Sequence, residues 1–412
     1  IEKKRHEIDN YVRFYSWNDF LGYPSTSKFQ SSNLWDQSIH ASSMSLSLHL
    51  KKDIDPAYRK DNSYFFRPDF FSTHPVVFNK DVYIATERGE LHVLDIEKDY
   101  IKFTVTLPER IRFITGPTPI THPPAVTQDK IFITAGRFIY AINKSAMESS
   151  RFMRIRLPYR PTVHHIRKDL ASLSSGPVWK KGFVYCTLKN GSVCSLNEDL
   201  EIFRWTFKCK EKLLSPPCLS KDKILFTAIS GNVYALSEDS GNLLWSLNGG
   251  DKINFPPVIY DETAFVVTGK GQIIAIDTDK GQIIWNFSAG TGRVSTLPCV
   301  DEHILYCGTD KNVIYGLDRF HGTMMKEINV KYPVKSIAVT GKDLFFTANC
   351  GYSQGIICAV DVENFHLSKA YLMYRPGTSP ALANGMVFIT DEGGYLYAFA
   401  SSGYSSSKFI ES

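Results

Sequence analysis

Three groups of side chains in this 412-residue sequence have types and spacings that could do chemistry. The first is a set of cysteines. Cys186/Cys194, Cys299/Cys307 and Cys350/Cys358 are each eight residues apart, and Cys209/Cys218 are nine apart. Such spacing suits facing positions on adjacent strands of hairpins, where disulfides can form if register and Cβ geometry agree. Together with N-x-S sequons at Asn143, Asn190 and Asn286, it predicts an oxidising, extracytoplasmic compartment (secreted, periplasmic or luminal) and a glycoprotein. The opposed reading is buried thiols and chance sequons. The second group is His74 and His122, in STHPVVF and THPPAV. If the two approach each other they could bind a metal or an anion; the plainer reading is a local hydrogen bond at the start of a strand. His164 and His165 are adjacent, so on an extended segment their rings point apart. The third group lies between Arg151 and Lys168, RFMRIRLPYRPTVHHIRK, which carries Arg151, Arg154, Arg156, Arg160, Arg167 and Lys168 and no acid. With Phe152 and Tyr159, these arginines suit a protein interface or an anionic surface. The bland alternative is a solvated loop facing acids elsewhere.

Other chemistries lack their residues. No glycine-rich phosphate loop precedes a helical pattern, and GKGQ at 269–272 reads as a hairpin turn. A formal charge of +5 is mild for this length and does not point to nucleic acid. No apolar run approaches the ~18 residues of a membrane-spanning helix. The chain starts at Ile1, which is compatible with a removed leader and equally with a shortened chain.

The elements that must position these residues come from a repeat. GNVYALSEDSGNLLWSLNGG at 231–250 and GQIIAIDTDKGQIIWNFSAG at 271–290 share Gly, Ala, Gly and Trp at the same places. An apolar strand, a tight turn with Gly, a second strand and an acidic turn leading to a third recur eight times, with turns at Gly89, Gly136, Gly191, Gly231, Gly271, Lys311, Gly355 and Gly394. Gly suits a hairpin turn that needs positive φ. Pro75, Pro124, Pro177, Pro217, Pro257, Pro298 and Pro380 precede short apolar runs, with Ser336 where the seventh is expected. Proline cannot donate to a sheet ladder, so each such run is an edge strand. The pattern predicts an all-β chain: a single eight-bladed β-propeller of four-stranded antiparallel blades over 44–400. Residues 1–43 are expected to pack on it as an N-terminal extension, and 401–412 to form a tail. The last repeat offers only a poor outer strand, so MSLSLHL, Met44 to Leu50, is expected to pair into the eighth blade and close the ring.

The motif Ala-x-Asp-x-x-x-Gly-x-x-x-Trp resembles the tryptophan-docking repeat of quinoprotein-type (PQQ-like) β-propellers. It reads Ala275, Asp277, Gly281, Trp285, and Ala235, Ser237, Gly241, Trp245. The third repeat keeps Ser195, Asn197 and Trp205 but has Glu201 for Gly; the sixth keeps Gly316, Asp318 and Gly322 but has Lys326 for Trp. The small residue, the Asx turn with Gly and the indole are expected to dock blades rather than bind a ligand. The segment YSWNDFLGYPSTSKF also looks like the Trp-rich lead-in of such propellers. WD40 propellers are the rival at the level of fold, but their His and Trp-Asp blade signature is missing.

The resemblance implies two functions. One is a quinone-dependent oxidoreductase, binding PQQ with calcium or a lanthanide. This chain has neither the adjacent Cys-Cys pair common in alcohol-oxidising members nor a C-x-x-C-H haem motif. The other, which the residues favour, is a non-catalytic scaffold or assembly factor for other proteins, extracytoplasmic, expected in a larger or membrane-associated assembly, with no cofactor. A carbohydrate- or ligand-binding propeller is a third reading.

Overall fold

A computed structural model describes residues 46–53 and 73–401, apart from 97–99, 108–117, 149–153, 157–164, 171–172, 291, 341–342, 352–353, 374, 384–385 and 393. The described chain is nearly all β, and its strands form eight antiparallel blades in the order of the repeat, the β-propeller the sequence predicts. Two compact units divide it. Val76–Val294 holds blades 1 to 5, and Ser295 onward, with the first strand, holds blades 6 to 8.

Blade 4 shows how the repeat builds a sheet. Cys218–Leu219 pairs with Lys223–Thr227, which pairs with Asn232–Ser237, which pairs with the outer strand Leu243–Asn248. The two middle strands are apolar on both faces because neighbouring blades cover both. The outer strand instead alternates between half-buried and exposed positions. In blade 8 the fourth strand is Leu46–Asp53, antiparallel to Tyr395–Ser401, as expected from MSLSLHL.

Register explains the docking motif. Ala235 lies directly opposite Trp245, Ala275 opposite Trp285 and Ser195 opposite Trp205, so a small residue leaves room for each indole. Each of two indoles then reaches the next blade. Trp205 Nε1 donates to Glu238 O at 2.9 Å, and Trp245 Nε1 donates to Thr278 O at 2.8 Å. Gly241 and Gly281 lie beneath those rings at φ 72° and 67°, and a Cβ on either would collide with the indole. Glycine thus meets two demands there, a left-handed turn and a flat seat. Trp285 is buried against Phe265, with ring centroids 5.7 Å apart.

Blade 6 lacks the Trp and blade 7 the Gly, yet the two keep the contact by other means. Lys326, opposite Gly316 where Trp is expected, donates from Nζ to Val362 O at 2.8 Å and Glu363 O at 2.6 Å. Phe365 takes the glycine's place at φ 55°, and Lys326 Nζ sits 4.9 Å from its ring centre. A cation over an aromatic face replaces an indole over glycine.

Two more links join blades 2 to 5. Thr187 Oγ1 donates to Ser215 O at 2.8 Å and Thr227 Oγ1 to Phe255 O at 2.9 Å, each into the following blade. At the end of the blades that holds the acidic turn, lysines pair forward: Lys130 with Asp199, Lys180 with Glu238 and Lys223 with Asp279, at 2.5, 2.5 and 2.7 Å. Lys180 and Glu238 are both buried, and Lys180 Nζ also donates to Ser220 O and Lys221 O. Removing one partner of such a buried pair costs far more than removing an exposed one.

Two turns differ from the sequence reading. In blade 6 the positive φ belongs to Asn312, one residue past Lys311, because Asn tolerates the left-handed region that Lys avoids. In blade 7 Gly355 lies within a strand opposite Asn349, and Gly351 has the positive φ. Ser336, where Pro is missing, sits in a longer first strand, Val334–Thr340, with its hydroxyl 2.6 Å from that of Thr347.

The seat under each indole gives a test. Gly241→Ala and Gly281→Ala add a left-handed penalty to an overlap with Trp and should each cost about 2–4 kcal/mol in urea unfolding. Gly182→Ala, at φ 80° with open space around it, should cost only about 1 kcal/mol. Equal losses at all three would remove the docking role.

Candidate interaction surfaces

The basic insertion is less of a free loop than its sequence suggests. After Phe138–Asn143 the chain forms a short helix, Lys144–Glu148, and then lays Arg154–Arg156 along blade 1 as a fifth strand, parallel to Tyr100–Thr106. It returns to blade 2 as the outer strand His165–Asp169, paired antiparallel with Phe138–Asn143. The helix is anchored on blade 1: Lys144 Nζ lies 4.2 Å from the Phe78 ring centre and 5.3 Å from that of Tyr83, and Met147 joins the same apolar core. Arg154, Arg156, Arg167 and Lys168 are therefore residues of edge strands. Arg151, Tyr159, Arg160 and His164 lie outside the described residues, as do 1–45 and 402–412.

The expected disulfides are not formed. None of the eight cysteines is in a disulfide, and all are buried. Register gives the reason in most cases. Cys299 faces Tyr306, which puts Cys307 on the other face of the sheet. Cys358 faces Phe346 rather than Cys350. Cys209 and Cys218 belong to different apolar clusters. Only Cys186 and Cys194 are cross-strand partners, with Cys194 Sγ 3.7 Å from Cys186 O. Burial pushes the Cys194 and Cys307 thiols up to about 12, and Cys186 and Cys299 well above the ordinary range. They are inert packing groups rather than nucleophiles.

The two histidines fall in different units. His122 Nδ1 lies 3.1 Å from Thr121 Oγ1; burial lowers its pKa, and the charge of Lys189 lowers it further. Desolvation lowers His74 to about 4. Among the described residues no three His, Cys, Asp or Glu side chains converge in a group able to hold a metal ion. Of the sequons, Asn190 is exposed in a hairpin turn, Asn286 is exposed on an outer strand and Asn143 ends the third strand of blade 2.

A feature missed in the sequence is a row of exposed apolar pairs. Ile202 and Phe203, Leu243 and Leu244, and Ile283 and Ile284 open the outer strands of blades 3, 4 and 5, and every one is at least 43% exposed. In the other unit Met324 and Met325 open the outer strand of blade 6 at 56% and 54%. Among the described residues each of these outer strands pairs with a neighbour on one side only. The signal was in the sequence, as LLW and IIW just after the turn glycine, but strand periodicity hides it: both members of each pair stay exposed.

Two measurements follow. Alkylation of the native chain should label no cysteine, and alkylation after denaturation without reductant should add eight adducts by intact mass; fewer would restore disulfides. His74 stays neutral when folded while its unfolded counterpart titrates near 6.5. The unfolded state therefore binds the proton first, and stability falls as pH drops from about 6.5 to about 4. His74→Gln should flatten that part of the melting-temperature profile; an unaltered slope would place the acid sensitivity elsewhere.

Comparison with known proteins agrees with the fold. A family profile described as outer membrane protein assembly factor BamB matches residues 160–255 and 230–361. BamB from Moraxella catarrhalis superposes with a TM-score of 0.64 at 11% identity, covering 87% of this chain and 99% of that one. The computationally designed protein Ika8 superposes with a TM-score of 0.65 at 11% identity, covering 82% and 98%. No curated protein matches in sequence. With repeat, register and docking motif in agreement, the chain is an eight-bladed β-propeller, and over residues 160–361 it is similar to the PQQ-like family.

Proposed function

We propose that this chain is a non-catalytic scaffold that binds other proteins and assists their assembly, outside the cytoplasm and without a cofactor. The observation that carries the reading is the repeated exposure of apolar pairs on one-sided outer strands of successive blades. Such positions suit a partner that buries apolar side chains while pairing with a strand edge. The edge strand Arg154–Arg156 on blade 1 adds cationic residues to a second outer edge. The matching profile, that of an assembly factor of outer membrane proteins, supports the class of function and the compartment. Exposure of Asn190 and Asn286 leaves both sequons reachable by a glycosylating enzyme in a secretory compartment.

The test is a quadruple variant, Leu243→Ser, Leu244→Ser, Ile283→Ser and Ile284→Ser, compared with the parent for proteins that co-purify and cross-link from its native source. Because these side chains are exposed, the melting temperature should move by only a few degrees while the cross-linked partner is lost. Retention of the partner at parental yield would sink the reading. PQQ with calcium and a redox dye should give neither turnover nor a thermal shift, and either signal would favour an oxidoreductase instead.

A further inference from the structure

The unit of blades 1 to 5 is polarised in charge along its strands. At the end with the acidic turns, in blades 3 to 5, cations are matched by carboxylates. Lys180, Lys221, Lys223 and Arg204 are in ion pairs of 2.5 to 2.7 Å with Glu238, Glu262, Asp279 and Asp239. At the opposite end, where the tight hairpins and the connections between blades lie, the balance reverses. Lys189, Lys208, Lys210, Lys212, Lys252, Lys270 and Arg293 are all exposed there. Only two carboxylates accompany them, and Glu211 is taken up by Asn232 Nδ2 at 2.8 Å and by the Tyr234 hydroxyl. Among the described residues none of the six lysines is in an ion pair.

These cations are held on a rigid base. Lys212, Lys252 and Arg293 occupy one position of the repeat, each just ahead of a buried apolar residue, Leu213, Ile253 or Val294. The backbone at Lys212 and Lys252 is pinned to the neighbouring hairpin, with Ile229 N donating to Lys212 O and Gly269 N to Lys252 O. The hairpin glycines Gly191, Gly231 and Gly271 lie so close to these connections that a Cβ on any of them would collide. The repeat therefore displays a cation once per blade from fixed backbone.

We propose that the hairpin end of blades 3 to 5 is a docking surface for an acidic polypeptide segment. This surface lies at the opposite end of the blades from the exposed apolar pairs on which the scaffold reading rests, so either can fail alone. A bilayer would be expected to engage several exposed apolar side chains; among the described residues at this end the one large exposed apolar side chain is Leu214, at 38%, while the apolar pairs are at the other end of these blades. A nucleic acid strand would ask for stacking rings, and the exposed aromatic ring of these blades, Phe203, is also at the other end. Fixed, spaced cations with exposed amides such as Asn190 and Asn254 between them match a chain that carries carboxylates and peptide groups in alternation.

The experiment is fluorescence anisotropy of a labelled twelve-residue poly-glutamate peptide with the full chain. Binding should be saturable and weaken steeply between low and physiological salt. Lys189→Glu, Lys212→Glu and Lys252→Glu together should weaken it at least tenfold. A control with the same net charge, Lys181→Glu, Lys221→Glu and Lys280→Glu at the other end, should stay within about twofold of the parent, and circular dichroism should show both variants folded. The outer-strand serine variant should bind the peptide normally even if it loses its partner. Absence of peptide binding, equal loss in both charge variants, or binding only to phosphatidylserine vesicles or a single-stranded oligonucleotide would overturn the proposal.

Discussion

An indole needs a flat seat, and in this chain the seat is a glycine of the next blade. That one contact couples two demands that sequence usually keeps apart, the left-handed turn within a blade and the packing between blades. Trp205 over Gly241 and Trp245 over Gly281 are the unmodified form, each closed by an N–H to a backbone carbonyl. The other links between these blades, from threonine hydroxyls and lysines, can form because this contact fixes how far apart neighbouring sheets stand. Lys326 and Phe365 show that the demand is physical rather than a matter of residue identity. When the seat gains a ring, the side chain above it becomes a cation, and the carbonyl bonds survive.

Most of the architecture was legible because a forty-residue period places turn glycines and strand-leading prolines at fixed distances, and backbone conformation limits which residues fill them. That Gly241 and Trp205 serve docking could be read from their types; that they meet across blades could not. The same role in their replacements could not be read, because Lys and Phe have many uses and only register shows that they face each other; a reader would have needed to align Phe365 with the turn glycines first. Disulfide spacing misled for a related reason. Eight residues between cysteines place them face to face only if the turn is centred between them, and the tight hairpin of Cys299 and Cys307 is off by one residue, pairing Cys299 with Tyr306. The basic insertion misled through composition: Arg154 to Arg156 read as loop, but a short alternating stretch beside an open sheet edge can gain hydrogen bonds by becoming a strand.

The candidate surfaces were harder to see because they arise from what the repeat leaves over. Outer strands expose the residues that the middle strands would bury, and the two ends of a blade differ in charge although their residues alternate along the chain. Each blade contributes one or two groups, and a surface exists only once several blades repeat them. Composition averages them away: a formal charge of +5 for the whole chain conceals an end with seven cations against two carboxylates.

The excursion from blade 2 to blade 1 and back has a bearing on how the chain is made. Blade 1 receives its fifth strand from residues that follow the third strand of blade 2, and blade 2 receives its outer strand only after that detour. On a ribosome, neither blade can be finished before about residue 169 has emerged, whereas blades 3, 4 and 5 each take four consecutive strands. The first two blades thus mature as one kinetic block, and the nascent protein passes through a long interval in which an unfinished sheet edge is open to chaperones and to other chains.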